Sequence, residues 1–279
     1  MTEPRWVAHA IWWHVYPLGF VGAFPADDPP TADEHRLRRV TAWLDHIVTL
    51  GASGIALGPV FASRTHGYDT TDHYRIDPRL GTGDDFDDLV AHAHAKGLRV
   101  LLDGVFNHVG TDFPQYRRAL DGDAGAKRWF RRSRDGFATF EGHGDLIALD
   151  HAEPEVIDHV VDVMGHWLDR GADGWRLDAA YAVPGRFWAQ VLPRVRQRHP
   201  DAWFVGEVIH GDYAAMVAES GFDAVTQYEL WKATWSALND GNFHELDHAL
   251  GRHDGFLESF VPQTFVGNHD VTRIASQLT

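Results

Sequence analysis

The chain has 279 residues, 44% hydrophobic and 23% charged, which fits a globular protein with a large core and lies within the range of one α/β barrel. A formal charge of −15 argues against nucleic-acid and anionic-membrane partners, since both select basic surfaces. The absence of cysteine removes disulfides, thiolate chemistry and zinc–thiolate sites while leaving the redox compartment open.

Alternation of apolar runs with amphipathic stretches begins at once. Residues 11–20 read as a strand, 25–31 as a loop rich in Pro and Asp, and 33–50 as a helix with apolar positions at helical spacing. The opening MTEPRWVAHAIWWHVYPLGF carries no basic n-region, sustained apolar core or small-residue cleavage site, so it reads as mature sequence. No apolar run approaches the length of a membrane span, and a cytoplasmic location is the expectation. Residues 54–59 form a second strand. A turn and N-cap at 82–84 precede a helix over 86–96 that Gly97 stops, and 99–105 is the third strand.

The pattern then breaks. From Asn107 to about residue 147 the chain is rich in Gly, Asp, Arg and aromatics without a clear period. A structureless loop of that size is uncommon in a compact domain unless it is functional, so an inserted subdomain is expected. This divides the chain into 1–107, an insertion at 108–147, and 148–279. Regularity resumes with helix 154–170, strand 174–179, helix 184–199, strand 203–208, helix 213–219, strand 222–227, helix 230–250 and strand 263–268. Strands separated by helices predict parallel pairing through crossovers. No repeat, low-complexity tract or nucleic-acid-binding motif is present. The 11 Trp and 19 His are numerous for this length. Aromatic faces stack on sugar rings and imidazoles bond sugar hydroxyls, although most aromatics belong to the core in any protein.

One feature recurs: an apolar strand ending in a carboxylate. It occurs in RVLLD (Asp103), GWRLD (Asp178), WFVGE (Glu207) and TFVGNHD (Asp270). A single such Asp is usually a cap or a turn former. Four on different strands are harder to explain that way, because strand C-termini in an α/β barrel converge on one mouth. Alternation along 174–178 points Arg176 and Asp178 to one face. A buried arginine needs a partner, and Asp178 is the nearest candidate. Arg176 is therefore expected to lower the pKa of Asp178, which suits a nucleophile. Glu207 has no basic neighbour in sequence, and an apolar setting would keep it protonated as an acid. Retaining glycoside hydrolysis uses such a pair with carboxyls roughly 5–5.5 Å apart.

The stretches DGVFNH (103–108), GWRLDAA (174–180), GEV (206–208) and FVGNHD (265–270) resemble, in order, the four short conserved regions of the α-amylase family. The segment HGYDTTDHYRIDPRLGT (66–82) resembles the family's second-strand loop, and LIALD (146–150) its fifth region, with Ala148 where an acidic residue sometimes stands. The resemblance implies a TIM-type (β/α) barrel with a short domain B after strand three. It implies retaining hydrolysis or transglycosylation at α-glucosidic bonds of small α-glucans or disaccharides. By it Asp178 is the nucleophile, Glu207 the acid/base and Asp270 the transition-state carboxylate. Arg176 orients the nucleophile, His108 and His269 bind sugar hydroxyls, and Tyr68 stacks on the sugar ring with Asp69 beside it. Asp103 and Asn107 are the supporting pair.

Two departures qualify this. Secreted α-amylases carry Lys-His shortly after the nucleophile, where this chain has Ala179-Ala180-Tyr181-Ala182. That weakens the case for a starch-cleaving endo-enzyme and for the usual calcium site. No cofactor is expected to be required; calcium would fall to Asn107 with help such as Asp145, and hard-cation sites need about six or more oxygens. The family barrel has eight strands and a following β-domain, whereas seven are counted here. Seven strands leave two edges unpaired, so the chain is expected to be a fragment or to be completed by another chain, self-association included.

Two other classes remain open on the residues alone. A non-catalytic sugar-binding or assembly protein would usually have lost one of the three carboxylates, and all three are present. A metal-dependent barrel using Asp103, Asp178 and Glu207 as ligands is disfavoured by Arg176, a competing cation. Other motifs are weak: His92 and His94 diverge on a helix, and Gly81-Thr82-Gly83 lacks the third glycine of a dinucleotide fingerprint.

Overall fold

Six parallel strands form one sheet in the order β1 (Trp12–Val15), β2 (Gly54–Leu57), β3 (Arg99–Gly104), β4 (Gly174–Leu177), β5 (Trp203–Gly206) and β6 (Ala224–Val225). This computed structural model describes residues 3–24 and 34–278, so the expected loop at 25–31 and the start of the helix expected from 33 lie outside the described residues. Spatial order follows chain order, and the sheet curls as part of a TIM-type α/β barrel. The seventh strand is reduced to one parallel bridge between Thr226 and Gln263. Past that bridge Val266 is 71% exposed, because the segment finds a sheet neighbour on one side only. Among the described residues no strand pairs with the outer edge of β1.

The crossover helices differ from expectation where local chemistry intervenes. Helix Gly83–Ala95 starts three residues early because Thr82 and Asp85 form a capping box. Buried Asp85 also accepts from His35 at 2.7 Å, tying this helix to the preceding segment. The helix expected over 33–50 is two short ones, Leu37–Thr41 and Leu44–Thr49, with Trp43 at the junction stacked on Trp13 at 6.2 Å. The helix expected over 230–250 is likewise two, Tyr228–Asp240 and His244–Leu257. Gly241 breaks it at φ 62°, a left-handed conformation that glycine takes without steric cost, and Asn242 then accepts from the His244 N–H. Helices Pro154–Asp169 and Gly185–Arg198 fall close to expectation.

Two excursions decorate the strand ends. A hairpin after β2, Phe61–Ser63 against Thr70–Ile76, was not expected; its turn carries Tyr68 and Asp69. After β3, His108–Gly110, His143–Ala148 and Thr139–Phe140 form a three-stranded antiparallel sheet that encloses two short helices in the chain. No helix of the described residues is long and apolar enough to cross a membrane.

Side chains alternate across the strands. Outward residues such as Val100, Leu102, Trp175, Leu177 and Phe204 join the main core beneath the helices. Inward residues Ala56, Leu101, Trp203, Val205 and Ala224 fill the lower barrel with Trp6 and Trp12. Trp12 stacks on Trp203 at 5.8 Å, and Trp6 from the 3-10 helix Arg5–His9 packs edge-on to both. This apolar floor confines the polar inward residues to the upper end. Gly174 has no room for a side chain, since a Cβ there would lie 2.3 Å from the Trp203 carbonyl oxygen.

Candidate active site

The upper end is organised around Arg176. Register pairs it directly with Asp103 on β3 and Val205 on β5. Its Nη1 donates to both oxygens of Asp103 at 2.7 Å and to Asp178 Oδ1 at 3.2 Å. Its Nη2 contacts Glu207 Oε1 and lies 3.8 Å from Asp270 Oδ2. One guanidinium thus gathers all four strand-end carboxylates. Asp103, Asp178 and Glu207 are buried, while the Asp270 side chain is 48% exposed on the segment past the bridge.

This corrects the electrostatics expected from neighbours in sequence. Arg176 was expected to serve Asp178 first, but the parallel register gives it both oxygens of Asp103, and Glu207 has a basic partner in Arg176, to which it lies nearer than Asp178 does. Asp178 sits well above the usual carboxylate range and not below it, through burial first and then the Glu207 charge, which together outweigh Arg176. Burial pushes Asp103 up to about 6 against the pull of Arg176. Asp270 is raised by burial and by Glu207.

Backbone geometry sets the two inner carboxyls. The Asp178 N–H donates to Gly104 O at 3.0 Å, and the Glu207 N–H to Leu177 O at 2.9 Å, which continues the ladder past both strands. Ala179 then turns left-handed at φ 45°, aiming its N–H at Glu207 Oε2 at 3.0 Å. Glu141 in the insertion is the other non-glycine residue with positive φ among those described, and it accepts from the Tyr181 hydroxyl at 2.9 Å. Both strained residues therefore border the mouth.

An aromatic wall closes one side. The Tyr68 hydroxyl donates to Asp103 Oδ2 at 3.2 Å and contacts His269 Nε2, with the two rings stacked at 5.4 Å. His269 also lies 3.2 Å from Asp270 and packs on His14 of β1 at 5.1 Å. Burial and the Arg176 charge keep both histidines neutral, His14 down to about 4. His108 differs from expectation. It is buried, one ring nitrogen meets the Tyr68 carbonyl at 3.1 Å and the other meets Asn107 Nδ2 at 3.1 Å. In this structure both nitrogens meet protein atoms, and His108 contacts the backbone of Tyr68. Asp69 is buried, accepts from Thr65 at 2.7 Å, and has no hydrogen bond or ion pair to the Arg176 cluster.

The expected calcium ligands do not fit a common site. Asn107 stands opposite Leu149, whose N–H donates to its carbonyl, while Asp145 is four residues back along the same chain and lies near Arg64. At about 3.3 Å per residue that is roughly 13 Å, far outside one coordination shell. Among the described residues no cluster of three or more His, Asp or Glu side chains could hold a metal ion.

Four residues of this site were not singled out in the sequence. His14 shares the inward phase of β1 with Trp12, a signal the alternation contained. Tyr228 reaches Glu207 directly and Asn268 reaches it through Tyr228, while Tyr181 reaches the insertion; these partnerships are long-range and leave no local pattern.

Comparison with known proteins agrees with this geometry. The family model for the alpha amylase catalytic domain matches residues 31–144 and 125–279. A cyclomaltodextrinase from Geobacillus thermopakistaniensis is 33% identical over 97% of this chain and 51% of its own length. Neopullulanase 2 from Thermoactinomyces vulgaris is 32% identical over 87% and 46%. Among solved structures, the cyclic alpha-maltosyl-(1→6)-maltose hydrolase of Arthrobacter globiformis superposes with a TM-score of 0.86 at 28% identity, covering 98% of this chain and 68% of that one. The chain spans about half the length of the curated relatives it matches. With the motifs, the barrel and the carboxylate cluster in agreement, the chain belongs to the alpha-amylase family of glycosidases.

Proposed function

We propose that this chain is the catalytic barrel of a retaining enzyme acting on α-glucosidic bonds of short or cyclic maltooligosaccharides, passing the glycosyl group to water or to another sugar. The observation that carries the reading is the convergence of Asp178, Glu207 and Asp270 on one guanidinium at the strand ends. The names cyclomaltodextrinase and cyclic alpha-maltosyl-(1→6)-maltose hydrolase favour cyclic α-glucans, while neopullulanase leaves a longer substrate in play.

In this reading Glu207 gives its proton to the glycosidic oxygen as the bond from C1 breaks, and the Asp178 carboxylate attacks C1 from the opposite face. A glycosyl ester on Asp178 results, and the leaving sugar departs as an alcohol. Glu207, now a carboxylate, takes a proton from water or an acceptor hydroxyl; that oxygen attacks C1 and releases Asp178. The Glu207 charge is one cause of the raised Asp178 pKa and Arg176 works against it, so the ionised Asp178 that attacks C1 is held beside that guanidinium. Asp270 and His269 then face the sugar hydroxyls of the attacked ring, Tyr68 stacks beneath it, and His108 and Asp103 hold Tyr68 in place. The proposed location is the cytoplasm.

The decisive experiment measures an activated aryl α-glucoside. Glu207→Gln is expected to abolish turnover, and azide to rescue Glu207→Ala by attacking the ester without base assistance. Undiminished activity in Glu207→Gln would overturn the assignment. Product analysis on maltose, maltotriose, sucrose and trehalose then defines the linkage.

A further inference from the structure

Glu207 Oε1 receives a hydrogen bond that neither the motifs nor the strand pattern points to. Tyr228, just past β6, donates its hydroxyl to Oε1 at 3.1 Å and is buried. Asn268 in turn donates its Nδ2 to that hydroxyl at 2.8 Å. The orientation of the Asn268 amide is fixed from its other end, because its Oδ1 accepts the Asp270 N–H at 2.9 Å. Every proton in this chain therefore has one direction, from Asp270 N–H to Asn268, from Asn268 to Tyr228, and from Tyr228 to Glu207. With Asn268 on the hydroxyl's lone pair, its single proton is left for the carboxylate. Burial keeps the phenol far above its ordinary range, so it remains a neutral donor. The Phe265 ring packs edge-on against Tyr228 at 4.9 Å, limiting its rotation.

We propose that Tyr228 and Asn268 are positioning residues for the general acid: they hold the Glu207 carboxyl in one rotamer and tie it to the segment bearing Asp270. The proposal rests on the reading of Glu207 as acid/base. Glu207 is also held by the Ala179 N–H on Oε2, by Arg176 on Oε1 and by a side-chain hydrogen bond with Asp270. Arg176 is shared among carboxylates, and the Tyr228 hydroxyl gives this carboxyl a donor whose own direction Asn268 fixes. A bond from the first residue of helix Tyr228–Asp240, backed by the segment that bears Asp270, braces the carboxyl from the side of the barrel where strand pairing is reduced to one bridge. Small displacements of a proton donor are costly to rate, on the order of a hundredfold for about 1 Å.

Leaving-group dependence separates this role from a general loss of structure. A poor leaving group needs the proton from Glu207, whereas a strongly acidic phenol departs without it. The experiment measures kcat/KM, which reports formation of the glycosyl ester, for phenyl and 2,4-dinitrophenyl α-glucoside. In Tyr228→Phe the phenyl substrate is expected to lose about ten- to a hundredfold, and the dinitrophenyl substrate less than about threefold. Asn268→Asp keeps the acceptor for the Asp270 N–H but turns the group facing Tyr228 into an acceptor that draws the phenolic proton from Glu207. It is expected to show the same split, and it decides the matter if Tyr228→Phe does not fold. Equal losses on both substrates, or no loss on either, would overturn the proposal while leaving the proposed function standing. If the unaltered chain turns over neither substrate, the proposed function falls and this inference with it.

Discussion

Arg176 and Asp103 are register partners on adjacent parallel strands, and Arg176 Nη1 donates to both Asp103 oxygens at 2.7 Å. The pair anchors the guanidinium so that its remaining donors face Asp178 and Glu207. Replacing the arginine by Met would leave these carboxylates crowded without a counter-charge. Breaking a buried pair by removing one partner costs about 3–5 kcal/mol. We expect Arg176→Met to lose that much in urea unfolding at pH 7, and less at pH 5, where protonation relieves the crowding. A loss independent of pH would show that packing, and not charge, dominates.

Half-buried His159 meets buried His73 at 3.3 Å between helix Pro154–Asp169 and the hairpin that carries Tyr68. His73 meets the Val105 carbonyl at 3.1 Å, and Phe113, Trp129 and Tyr74 surround His159. Burial, then His73, lowers the His159 pKa from 6.5 to about 3. Below 6.5 the unfolded chain takes up a proton that native His159 refuses. Native stability therefore falls as pH drops from 6.5 towards 3 and levels off below that. Asp103 and Asp178, raised in the native state, act with the opposite sign, so the comparison must be between variants. Between pH 6.5 and 4.5, His159→Phe should lose about 2–3 kcal/mol less than the unaltered chain. Identical pH profiles in urea unfolding would exclude this role for His159.

Ala179 is left-handed at φ 45°, with its N–H on Glu207. A β-branched side chain is disfavoured there, whereas glycine is free of the penalty but loses the buried methyl, about 0.8 kcal/mol. Ala179→Gly should thus stay within about 1 kcal/mol of the unaltered chain, and Ala179→Val should lose more than about 2 kcal/mol. Thermal and urea unfolding of the two variants checks this; equal stability would mean the turn relaxes freely.

Much of this protein was legible in its sequence because strand period and barrel geometry are local rules with a common outcome. The runs ending in Asp103, Asp178 and Glu207 fixed three strands and put their carboxylates at one mouth, since side chains two apart share a face and parallel strands end together. Local capping signals fixed the helices about as well, except where Gly241 and Trp43 interrupt long amphipathic stretches. Which carboxylate a guanidinium serves was not local. Asp103, 73 positions away, is nearer Arg176 than Asp178 is, because register and not sequence distance sets the contact. The pKa of Asp178 followed from burial depth and from the charge across the mouth, neither of which a neighbour in sequence reveals. The bracing of Glu207 by Tyr228 and Asn268 joins the helix that follows β6 to the segment beyond the bridge, and only the folded barrel brings them together. The sequence by itself determined the chemistry available at the strand ends; tertiary structure decided which of those groups share charge, because electrostatic and hydrogen-bond energies depend on distance in space.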